Sequence, residues 1–145
     1  MTAIKKRLGL AQQMLNNGSI TYAQFYTWQR LARDGYDAGM AGNPKTTHYD
    51  RSYVDGGVGE SDYAMQCREI VNKILDRCGR TGGPVLDYVC IKGESLAKVS
   101  GERLTALNEK QVSGILISSL CIAAEVYWEL DREIKATNHE TRTIV

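Results

Sequence analysis

Apolar residues recur at three- and four-residue intervals through most of the chain, the spacing of amphipathic helices, and the fold is expected to be all-α. The run that organises the rest is 108–136, NEKQVSGILISSLCIAAEVYWELDREIKA. Its apolar positions are Val112, Ile115, Leu116, Leu120, Ala123, Tyr127, Leu130 and Ile134. Asn108 and Gln111 have the spacing of a capping box and predict a sharp start. A helix of that length spans about 40 Å, more than a small domain is wide. Its front is therefore expected to project from the fold, and its back to close the core.

Five shorter helices are expected before it, four of them in the chain up to Lys92. The first covers 3–17, with Ile4, Leu8, Ala11 and Leu15 on one face and Gly18 as its C-cap residue. Thr21 with Gln24 forms a second capping box, and Ile20 with Phe25 a hydrophobic staple, so a helix should run from Tyr22 to about Gly39. Its rings Tyr22, Phe25, Tyr26, Trp28 and Tyr36 are read as core filling. A third helix starts after Ser61 and buries Tyr63, Cys67, Ile70, Val71, Ile74, Leu75 and Cys78. GRTGG should break the chain, with Pro84 opening a fourth, nearly all-apolar helix through Lys92 that belongs at the centre of the bundle. The tail after Ala136 is expected to fray.

Composition adds limits. A chain of 145 residues suggests one domain, residues 1–145: a helical pair over 1–40, a loop over 41–61, a helical core over 62–136, and a flexible tail. Eighteen basic and seventeen acidic residues give a net charge of +1, so any nucleic-acid partner depends on charge segregating onto one face. Cys67, Cys78, Cys90 and Cys121 lack metal-site spacing and read as small buried hydrophobes in a reducing cytosol, with no cofactor implied. The N-terminus is too polar for a signal peptide, and no run approaches the length of a membrane span, so the chain is expected to be cytoplasmic. No Ser-His-Asp, Cys-His or carboxylate-pair arrangement is readable, and the protein is not expected to be an enzyme.

The segment 93–120, GESLAKVSGERLTALNEKQVSGILISSL, has helix-turn-helix grammar. A short helix over 94–100 precedes a break at Gly101, and the long helix follows. Leu96 and Val99 should pack on Val112 and Leu116, with Ala97 allowing a close crossing. Asn108, Lys110, Gln111 and Ser113 would then face the major groove, with Ser95, Lys98 and Arg103 beside them. Amides suit adenine, and Lys suits guanine or phosphate. The 102–107 turn is longer than the usual three or four residues, and cations on the unit are few. An ordinary helical hairpin is the alternative.

GESLAKVSGE, followed by a long apolar helix ending in VYWELDR, resembles the C-terminal part of small helix-turn-helix proteins of alphaproteobacterial phages and gene-transfer agents. It resembles more distantly sigma-factor region 4 and phage late-gene regulators. The upstream run YDRSYVDGGVGESDYAMQCRE is similar to what precedes the motif in the first group. The resemblance implies transcription regulation, by binding double-stranded DNA or contacting RNA polymerase. It also implies Ser95, Lys98, Lys110, Gln111 and Ser113 as DNA-facing.

The competing expectation is a non-enzymatic phage accessory, inhibitor or packaging protein that binds a host or phage protein. Its docking element would be the 41–61 loop, where Lys45, His48, Tyr49, Arg51 and Tyr53 interleave charge and rings. A homodimer seam through Leu120, Ala124, Tyr127 and Trp128 is a further expectation.

Overall fold

The computed structural model describes the backbone of residues 3–41 and 61–144, and the side chains of residues 9–41 and 61–135. The candidate docking residues Lys45, His48, Tyr49, Arg51 and Tyr53 lie outside the described residues. Among the described residues the structure is all helix: α1 (Ala3–Asn16), α2 (Tyr22–Asp37), α3 (Asp62–Leu86), α4 (Leu96–Lys98) and α5 (Glu109–Ile144). Wider π turns follow α3 at Asp87–Ile91 and α4 at Val99–Arg103.

The starts form as their sequences dictate. Thr21 Oγ1 accepts the Gln24 amide while Gln24 Oε1 accepts the Thr21 amide. Ile20 and Phe25, at the two staple positions, are both buried. Ser61 caps α3 through the Ala64 amide. At α5, Asn108 Oδ1 accepts the Gln111 amide at 2.8 Å and Gln111 Oε1 accepts the Asn108 amide at 2.9 Å.

One core holds the bundle. Trp28 and Leu31 of α2, Val71 and Ile74 of α3, the buried chains of Val85, Leu86, Val89, Cys90 and Ile91, and Val112, Leu116, Leu120, Ala123, Val126 and Tyr127 of α5 meet in a single cluster. Each large aliphatic chain fully buried there contributes about 1.5–3 kcal/mol. Helix α2 runs parallel to α5, as three contacts place it: Gln24 on Cys121, Arg30 on Asp131, and Asp34 on Tyr127. Helix α3 lies on the other flank of α5, with Cys78 against Ser119 and Arg77 against Glu129.

GRTGG does more than break the chain. Gly79 has φ 85° and ψ −171°, a conformation open to glycine, and kinks α3 there. Pro84 is accordingly inside the second limb of α3 rather than first in a new helix. Gly82 and Gly83 allow that limb to press close: an added Cβ would lie 2.6 Å from Ser119 Oγ at the first and 2.7 Å from the Leu75 carbonyl oxygen at the second. The limb and the π turn behind it are central, as their nearly all-apolar run predicts, with Val85, Leu86, Val89, Cys90 and Ile91 all buried.

Several expectations change. Only Phe25 and Trp28 among the five α2 rings are buried; Tyr22, Tyr26 and Tyr36 face water, as does Tyr63 on α3. Cys121 is exposed, whereas Cys67 and Cys90 are buried. The core stripe of α5 runs from Val112 to Tyr127, so the front and middle of the helix close the core, not its back. Beyond Tyr127, Leu130 still packs on the core, and Glu129 and Asp131 still reach α3 and α2; from Asp131 to Lys135 every residue is exposed, Ile134 by 50%. The helix continues to Ile144 instead of fraying after Ala136; its 36 residues span about 54 Å. Where the sequence reading expects no run of that length, an 18-residue window within Glu109–Lys135 has mean hydropathy 1.3, long and apolar enough to cross a bilayer by length and composition alone. Val112, Leu116, Leu120 and Val126 of that run are core residues, and 39% of the window is buried.

Candidate nucleic-acid interface

The sequence from Glu94 to Ser113 folds as a short helical segment, a turn and the head of α5. Ser95 Oγ accepts the Lys98 amide at 3.1 Å and starts α4. The segment does not break at Gly101: it widens into a π turn, closed by the Leu104 amide on the Val99 carbonyl at 2.8 Å, and ends at Leu104. Gly101 lies inside that turn. Leu104 and Leu107 are half-buried against the core, which fixes the long connection, and Leu107 N donates to Leu104 O at 3.0 Å. Val99, Val112 and Leu116 are fully buried in one cluster, with Leu96 packed against it. Ala97 is exposed, so it is not the crossing residue.

The four residues at the front of α5, Asn108, Glu109, Lys110 and Gln111, all face water, and burial begins immediately behind them at Val112. Ser113 is half-buried at the edge. The side-chain oxygens of Asn108 and Gln111 are occupied by the reciprocal cap. Their NH2 groups remain as outward donors, and donors suit phosphate oxygens and guanine O6 or N7 better than the bidentate adenine contact the sequence suggests. The helix N-terminus adds partial positive charge to the same spot, which Glu109 in the first turn offsets.

The neighbouring cations are committed within the chain. Arg103 makes two bonds to Glu94, at 2.9 and 3.0 Å, with its guanidinium 5.3 Å from the Tyr88 ring centre. Lys98 Nζ lies 4.0 Å from the same carboxylate. Lys92 pairs with Asp87 at 2.7 Å and also lies over the Tyr88 ring, 5.3 Å from its centre. The Arg103 guanidinium, helped by Lys98 and Lys92, holds the Glu94 carboxyl below the usual range although burial opposes it. Lys110 forms no ion pair among the described residues. The geometry thus brings Ser95, Lys98, Arg103, Asn108, Lys110 and Gln111 to one end of the bundle but leaves Lys110 as the cation most available to an anion.

The sequence pattern missed Glu94 and Tyr88 as the residues that hold the cations. The i, i+4 spacing of Glu94 and Lys98 was a legible signal; the nine-residue reach to Arg103 was not. Elsewhere, among the described residues, no cluster of His, Cys, Asp and Glu could hold a metal ion. Surface grooves of 540 and 340 Å³ lie along α3, lined by Glu69, Lys73, Asp76 and Arg77 in the first and by Gly79, Arg80, Asp87 and Tyr88 in the second. No protein-family model matches the chain, and no curated protein or solved structure matches it.

Proposed function

We propose that the protein binds double-stranded DNA through the head of α5, as a transcription regulator of the helix-turn-helix kind. The observation that carries the reading is the water-facing tip Asn108–Gln111, directly backed by the fully buried Val112 and braced by the Ser95–Arg103 segment. A rigid, donor-rich helix start with a lysine is what a major groove or its phosphate rim accepts. The resemblance of GESLAKVSGE and the helix after it to phage helix-turn-helix proteins points the same way. No catalytic role is assigned.

The charge arrangement sets the expected strength. With Lys98 and Arg103 held by Glu94, each chain neutralises about one or two phosphates, so raising salt from 50 to 200 mM should weaken binding about four- to twelvefold. Fluorescence anisotropy with a labelled duplex tests this. Lys110→Glu should abolish binding at low salt; unchanged affinity in that variant contradicts the proposal.

A second reading, docking on another protein, is favoured by one observation: Tyr22, Tyr26 and Trp128 are each more than half exposed. A pull-down in which Trp128→Ala and Tyr26→Ala lose a partner that Lys110→Glu keeps would favour it.

A further inference from the structure

Opposite the core stripe, α5 carries a second line of positions: Gly114, Ser118, Cys121, Glu125, Trp128 and Arg132, three and four residues apart and all exposed. The spacing is that of a seam between two helices. Arg132 stacks over the Trp128 ring at 4.6 Å, so both side chains lie in that line. Cys121 accepts a hydrogen bond from Gln24, which puts α2 along one flank of the line. Tyr26, one turn before the Arg30 that grips Asp131, extends the apolar surface on that flank. The acids on either side of the line are spent inside the chain, Glu129 on Arg77 and Asp131 on Arg30. Glu125 and Arg132, within the line, form no ion pair among the described residues.

We infer that this stripe pairs with a second copy of the same chain, antiparallel, about a twofold axis beside Trp128. The charge order selects that occupant and register. Glu125 lies three residues before Trp128 and Arg132 four after it. Reversal about the axis sets Glu125 of each copy against Arg132 of the other, with the two indoles side by side between the pairs. A self-complementary patch of this kind is what a twofold interface requires. The expected seam through Leu120 and Tyr127 is thereby corrected: both are core residues, and only Trp128 of that set is more than half exposed. The inference stands on the stripe and is independent of DNA binding.

Sedimentation equilibrium of the full chain tests it. Wild type should show a concentration-dependent dimer, and Trp128→Ala should weaken it about tenfold or more, as loss of a central aromatic anchor does. Glu125→Arg and Arg132→Glu should each dissociate the dimer, and the double variant should restore it. In this register the two Cys121 residues are about 22 Å apart along the seam, so a short thiol cross-linker should not join them. A wild-type chain that stays monomeric overturns the inference. So does a double variant that fails to recover, or efficient Cys121 cross-linking.

Discussion

Replacing Tyr127 with Phe removes one hydroxyl from the seam that aligns α2 with α5. That hydroxyl donates to Asp34 Oδ2 at 2.6 Å, and the Tyr127 side chain is buried. Arg30 lies over the same ring at 4.1 Å and pairs with Asp131 at 2.9 Å, so the hydroxyl is the inner anchor of a four-residue network. Burial lifts the Asp34 carboxyl above its usual range, while the Tyr127 hydrogen bond and Arg30 pull it back. Burial, then the contact with Asp34, pushes the Tyr127 phenol far up, so it stays a donor at any working pH. A hydrogen bond to a charged group contributes about 1.5–3 kcal/mol, and water reaches half-buried Asp34 to replace part of it, so the loss should be about 1–2 kcal/mol. The pH dependence has a definite sign. Asp34 is raised in the folded state, so its contribution is fully present below the unfolded carboxylate value, near pH 4, and is lost as pH rises through the folded value. Without the Tyr127 donor the folded value rises further, and the variant loses more on the same climb. The gap between the two proteins should therefore be widest at pH 7 and shrink on acidification toward pH 4. Urea unfolding followed by circular dichroism at both pH values measures it. A Tyr127→Phe variant within about 0.3 kcal/mol of wild type at pH 7, or a gap that grows on acidification, would refute the reasoning.

Gly35→Ala should cost about 1–2 kcal/mol in the same unfolding assay, because the new Cβ would sit 2.7 Å from Cγ2 of buried Ile91, a strain larger than the gain in helix propensity. Gly9→Ala, in α1 with nothing within 4 Å of its Cβ, should instead gain about 0.4–1 kcal/mol. Asn108→Ala removes the acceptor for the Gln111 amide and should cost about 1 kcal/mol, read by urea unfolding. Glu94→Gln frees Arg103 and Lys98 and should both tighten duplex binding and steepen its salt dependence toward three or four phosphates per chain, about a hundredfold between 50 and 200 mM salt. Glu94 is depressed in the folded state, so its stabilisation is present above the unfolded carboxylate value and is lost as pH falls through the folded one; Glu94→Gln should flatten that acid limb.

Local rules carried furthest where the signal itself was local. The three cap assignments at Thr21, Ser61 and Asn108 rest on residues within four positions of each other, and each forms the expected bonds. The core stripe of α5 followed from periodicity, because a helix with one apolar face has one way to bury it. Periodicity was silent on which apolar rings find room. Tyr22 and Tyr26 face water, and no spacing rule distinguishes them from the buried Trp28 on the same helix. Glycine was under-read: GRTGG gave a break, but its close contacts with Ser119 and Leu75 depend on which helix passes nearby. The site was half legible. Exposure of the tip followed from the amphipathic start of α5, whereas the capture of Arg103 by Glu94 depends on the π turn that replaces a break at Gly101.

The central claim is that the head of α5 meets DNA, and a nitrogen-15 NMR titration with duplex at low salt tests it most directly. The backbone amides of Lys98, Lys110, Gln111 and Ser113 should shift with added DNA and return as salt is raised, while those of Val71 and Trp28 in the core stay in place. Shifts confined to the Trp128 stripe or to α2, or none at all at low salt, would contradict it.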